Sequence, residues 1–186
     1  VYKALLYSSN SIDKINTELK GSVRSIDIIN IGGARWVLSV TDYGEVALCN
    51  NAREHHRFYV EDAPFRGMTM ISSNRCAAIT SNGKVIVMEF SGAHNPQMKV
   101  VGMIRLGAGV WRDICYIGKG LVVVMSDRSL VWVNGESMGV KAVTKLETGL
   151  HSLGYESDSG ILHLFGKNGL HYVASASNNN QCKRSD

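Results

Sequence analysis

Apolar positions along the chain fall in short, nearly continuous runs, divided by clusters of Gly, Asn, Asp and Ser. WVLSVT-DYG-EVALCN (36–50), CAAIT-SNG-KVIVMEF (76–90), LVVVMS-DR-SLVWVN (121–134) and ILHLFG-KNG-LHYVAS (161–175) each read as strand, tight turn, strand. Val, Ile, Tyr and Trp dominate the runs, as β-propensity favours. Runs that do not alternate with polar residues predict strands buried on both faces. The Asn-Gly pairs at 82–83 and 168–169 predict type I′ hairpin turns, which need positive φ at both central residues.

The hairpins repeat. Their turns fall at Gly44, Gly83, Arg128 and Gly169, at intervals of 39, 45 and 41 residues. A further apolar segment precedes each: VRSIDIINI, FRGMTMI, WRDICYI and LHSLGYE. Another follows the first three: HHRFYVE, QMKVVGMIRL and VKAVTKLE. The unit is thus four strands in about 42 residues, the spacing of a propeller blade. The predicted fold is all-β, a β-propeller of repeated four-stranded antiparallel blades.

In pattern and spacing, over essentially the whole chain, this resembles the WD-repeat family. The Trp-Asp pair that usually ends the third strand is replaced by Cys49-Asn50, Met88-Glu89 and Asn134-Gly135, and the opening Gly-His pair is missing. The family's Asp–His network therefore has no counterpart. The resemblance implies a divergent scaffold that receives partner proteins, often through acidic or phosphorylated segments.

Blade boundaries follow at 21–62, 63–107 and 108–148, with a partial blade at 149–175. Residues 1–20 read as the end of a preceding blade, through YKALLYS and IDKINTEL. A short helix is the alternative over 12–19, where Ile12, Ile15 and Leu19 share a helical face behind Ser11. The polar stretch 176–186 is expected to be disordered. Seventeen strands result, one more than four blades need, which reads as an incomplete ring or part of a longer protein.

Composition narrows the function classes. The net charge of +4 permits an acidic partner but lacks the dense basic face of a nucleic-acid binder. Cys49, Cys76, Cys115 and Cys182 form no metal spacing and no disulfide framework. With no Asn-x-Ser/Thr acceptor, they point to a reducing, intracellular compartment. No apolar run nears the roughly 18 residues of a membrane span.

One recurrent feature carries candidate chemistry. Apolar, basic, any residue, apolar occurs as VRSI, FRGM, WRDI and LHSL, each at the start of a blade's first strand. Arg24, Arg66, Arg112 and His151 would line one rim. An Arg fork suits carboxylate or phosphate, because it can hold two oxygens at once. Trp111 and Phe65 are the expected apolar anchors beside them. The opposing reading pairs each Arg with a nearby carboxylate, Asp27 or Asp113 being at hand. A structural role in a large assembly, held through blade edges, is the first alternative function. A propeller glycosidase is a remoter one, since it would need acidic residues clustered on a rim. No catalytic residue, cofactor or metal is expected. His163 and His171 are placed opposite Tyr172 and Leu164, on opposite sheet faces, which argues against a shared metal. LGAGV (106–110) is Gly-rich but opens no helix, so it is not a phosphate loop.

Overall fold

The computed structural model describes residues 2–4, 12–14, 19–50, 54–147, 149–167, 169–175 and 182–184. Eighteen strands are present among them, and no helix. β1 (Tyr2–Ala4) and β2 (Ile12–Lys14) pair with each other. The first blade is β3 (Val23–Ile31), β4 (Ala34–Thr41), β5 (Glu45–Asn50) and β6 (Glu54–Tyr59). The second is β7 (Phe65–Ser72), β8 (Arg75–Thr80), β9 (Lys84–Ser91) and β10 (Gln97–Arg105). The third is β11 (Trp111–Tyr116), β12 (Leu121–Ser126), β13 (Ser129–Asn134) and β14 (Val140–Lys145). The fourth is β15 (Leu150–Glu156), β16 (Ile161–Gly166), β17 (His171–Ser175) and β18 (Cys182–Arg184).

Each blade is an antiparallel meander. The first strands stand side by side, β3 against β7, β7 against β11 and β11 against β15. This is a four-bladed propeller arrangement whose ring is not closed. The core lies between blades. Leu38, Val40, Val46 and Leu48 of the first blade meet Cys76, Ala78, Ile86 and Met88 of the second. Val85 and Val87 then meet Val122, Val124, Val131 and Val133. Val123, Met125, Leu130 and Trp132 meet Leu162 and Leu164. The middle strands therefore bury both faces, which is why their apolar runs do not alternate. The outer strands β6 and β14 alternate part-buried with exposed residues, since only one face is covered.

Ile12–Lys14 is strand, as the first reading has it, and not the alternative helix, while 15–18 lie outside the described residues. Two expectations change. The stretch 176–186 was expected to be disordered, yet Cys182–Arg184 pairs with β17 and completes the fourth blade. Residues 176–181 and 185–186 lie outside the described residues. The turn at 82–83 is not type I′. Gly83 has φ +78°, but Asn82 is not in the left-handed region. The Thr80 hydroxyl explains this. It accepts the Lys84 amide at 2.8 Å, and Gly83 N–H donates to Thr80 O at 3.1 Å, closing a three-residue loop instead. Asn168, in the second Asn-Gly pair, lies outside the described residues.

Candidate functional site

The same local device opens every blade. The ladder between first and second strands slips by one residue between Val23 and Ser25, Phe65 and Gly67, Trp111 and Asp113, and Leu150 and Ser152. The residue skipped is Arg24, Arg66, Arg112 or His151. Each basic residue thus sits on a β-bulge, a feature that takes a side chain out of the ladder and re-aims it. A matching bond pins each bulge. Asp42 N–H donates to Ser22 O (3.1 Å), Ser81 to Pro64 O (2.8 Å), Asp127 to Val110 O (3.0 Å) and Lys167 to Gly149 O (2.9 Å).

Together the bulges build one open cavity of about 530 Å³, lined by Arg24, Arg66, Arg112, His151, Trp111 and Ser81, with Gly109 and Val110. The four basic residues do converge, as does Trp111. Trp111 is only 6% exposed and packs in the core between second and third blades. Its Nε1 donates to Gly107 O at 3.1 Å. The Gly-rich connection 106–110 is therefore a wrap around this ring. A Cβ on Gly83 would stand 2.3 Å from the Gly107 oxygen and 2.6 Å from Trp111 Nε1.

Phe65 is not an anchor. It is fully buried in the core between first and second blades, and it does not line the cavity. The bulge explains this: Phe65 keeps its ladder pairing with Thr80 and points inward, while Arg66 is displaced outward.

The arginines differ in their partners. Arg24 Nε and Nη2 reach Asp42 Oδ2 at 3.0 and 2.5 Å. Arg112 Nε and Nη2 reach Asp127 Oδ1 at 2.9 and 2.7 Å, and Lys167 adds a 2.8 Å contact to the same oxygen. Arg66 is exposed and has no ion pair among the described residues. The expected carboxylates, Asp27 and Asp113, serve elsewhere. Asp27 accepts the Ile28 amide at 2.7 Å, and Asp113 accepts those of Ile114 and Leu153. The pairs that do form were readable from hairpin register. Val23 pairs with Thr41, so Asp42, the residue after Thr41, lies across the ladder from the bulge that holds Arg24.

The environment sets each carboxyl's titration. The Ser22 amide, then the Arg24 guanidinium, hold Asp42 below the usual carboxylate range. Lys167, then Arg112, do so for Asp127. Burial pushes Asp113 up. A glycosidase acid needs a raised pKa, so the two carboxylates at this rim are poor candidates for one. Burial raises the thiols of Cys76 and Cys115, the latter to about 11, so neither is an activated nucleophile.

Away from the rim, His163 and His171 are not on opposite faces. Their Nδ1 and Nε2 lie 3.0 Å apart, and the rings are parallel within 6°. His163 pairs with Val173 and Phe165 with His171, one residue off the expected register. The loop is longer than a two-residue turn: Gly166 N–H donates to Leu170 O. A slip of one residue moves a side chain to the other face. Among the described residues no cluster of three or more metal-ligating side chains forms, and no helix is long and apolar enough to cross a membrane. A smaller cavity of about 240 Å³ lies among the turns after β7, β11 and β13, where Arg75 is paired with Glu89 at 3.3 Å.

No family model and no curated protein matches this chain.

Proposed function

We propose that the protein is a non-enzymatic interaction scaffold, a divergent relative of WD-repeat propellers, that docks an acidic or phosphorylated segment of a partner protein on the rim of basic bulges. The observation that carries this is Arg66. It stands exposed in a cavity between two arginines that already hold their own carboxylates. A guanidinium with no ion pair of its own, in a cavity that Trp111 also lines, suits an anionic side chain with apolar neighbours. The exposed Val110, 59% accessible, extends the apolar part of the lining.

A peptide array with matched acidic, phosphorylated and neutral sequences, read at two salt concentrations, tests the proposal. Capture confined to the anionic sets and weakened by salt is expected. Arg66→Glu, at a side chain that makes no ion pair among the described residues, should abolish capture and leave the fold intact. Capture that survives this change, or binding to all peptides equally, overturns the reading.

A second reading is the assembly role, through an open blade face rather than the blade edges expected from the sequence, and β3 supports it. Ile26 and Ile28 are 50% and 53% exposed there, while Met68 and Ile114, the counterparts of Ile26 in the next two blades, are buried and Met70 and Tyr116, those of Ile28, are part-buried. Concentration-dependent self-association or insolubility, removed by Ile26→Ser with Ile28→Ser, would favour it.

A further inference from the structure

Repeats report on each other. The turn joining second to third strand is built alike in the first three blades. A hydroxyl, from Thr41, Thr80 or Ser126, accepts the amide of Glu45, Lys84 or Ser129 respectively. The next residue is Asp42, Ser81 or Asp127, and its amide bonds the carbonyl that precedes the bulge. In the first and third blades that Asp closes on the bulge arginine. In the second blade the position holds Ser81, which is part-exposed and lines the cavity, and Arg66 is left without a carboxylate. Three guanidinium groups line the site; Arg24 and Arg112 bond Asp42 and Asp127, Lys167 shares Asp127, and Arg66 acts on Asp42 only through space, so the site keeps an excess of positive charge.

We infer that a partner supplies the missing group: one Asp or Glu carboxylate of a docked segment sits against Arg66 and Ser81, in the place that Asp42 and Asp127 fill in their own blades. This rests on the docking reading above and makes it specific. The ligand is a carboxylate because carboxylates, Asp42 and Asp127, fill the equivalent place in the first and third blades. The Ser81 hydroxyl can donate to one oxygen, and the Arg66 fork to the other or to both. Val110 and Trp111, on the same wall, take the apolar residues beside the acid.

The test uses the chain's own solution. Ser81→Asp installs the carboxylate the other blades have, at a turn that already accommodates Asp twice. Binding of array-selected carboxylate peptides would be measured by fluorescence anisotropy, against their Asn or Gln counterparts and their phosphoserine counterparts. With the wild-type chain, replacing the peptide carboxylate by its amide should weaken binding by roughly 10- to 100-fold, the range of one charge-assisted hydrogen-bonded contact. Ser81→Asp should weaken it by a similar factor, while Ser81→Asn keeps it within a few-fold and neither change lowers the unfolding temperature. Unaltered carboxylate-dependent binding by Ser81→Asp overturns the placement and leaves the docking reading standing. Binding by phosphoserine peptides alone overturns the choice of carboxylate. If no anionic peptide is captured by the wild-type chain, the docking reading itself falls, and this inference with it.

Discussion

The third and fourth blades share a plan but not a fate. Both open on a bulge with a basic residue, and both bury the face turned toward the preceding blade. They differ on the other face. In the third blade Val123, Met125, Leu130 and Trp132 are at most 2% exposed, because the fourth blade covers them. The matching positions of the fourth blade are His163, Phe165, His171 and Val173, fixed by the same ladder pairing. There Phe165 is 47% exposed, and it stacks on His171, which hydrogen bonds His163. An inner repeat buries apolar side chains against its neighbour. The outermost described blade meets open space with rings that satisfy one another.

The largest test of this contrast is truncation at matched positions. Trp132→Ala should cost about 3–5 kcal/mol, since it empties a fully packed interface. Val173→Ala, on the open face, should cost under about 1 kcal/mol. Denaturant midpoints, read with unchanged slopes, would decide. Equal losses would mean that something else covers the fourth blade's outer face.

A middle-sized effect concerns the turn. Ser126 Oγ accepts the Ser129 amide at 3.0 Å and contacts Ser129 Oγ at 2.6 Å. The fourth blade has Gly166 there and lacks the hydroxyl. Ser126→Ala should therefore cost about 1 kcal/mol, the net worth of a part-buried hydrogen bond. No loss on thermal unfolding would show that the turn closes as well without it, as it must in the fourth blade.

How much of this could be read from the sequence depends on distance along the chain. Repeated four-stranded blades and the four basic positions are legible, because hairpin strands are neighbours and the bulge motif recurs in each repeat, whereas the last strand of the fourth blade is not. The repeat placed Arg24, Arg66, Arg112 and His151 at equivalent positions, but their convergence on one cavity is seen only in the structure. What failed turned on single-residue register. The Asn-Gly signal predicts a two-residue turn, which puts His163 and His171 on opposite faces, one residue off their actual register. Asp27 and Asp113 were chosen as partners because they are near the arginines in sequence, whereas Asp42 and Asp127 are near them across the hairpin. Phe65 looked like a rim residue because a bulge, which separates it from Arg66, leaves no mark in composition. Pattern sets which strands exist, but one inserted residue decides which way a side chain looks.

The smallest effects are those of pH, and here the third blade contrasts with itself. Asp127 is held below its unfolded pKa by Lys167 and Arg112. Its contribution to stability is present above the unfolded carboxylate pKa and is lost as pH falls through the folded value. Asp127→Asn should flatten the acid limb of a stability-against-pH curve. Asp113 is shifted the other way by burial. Its contribution is fully present below the unfolded pKa and is lost as pH rises through the raised folded value, so at neutral pH its charge opposes folding. Asn at this position can still accept the Ile114 and Leu153 amides. Asp113→Asn should leave stability at pH 7 unchanged or raise it by under about 1 kcal/mol, and lower it relative to wild type only in acid. A clear loss at pH 7 would mean that the ionised carboxylate is itself the better acceptor for those two amides, and that its hydrogen bonds outweigh its burial.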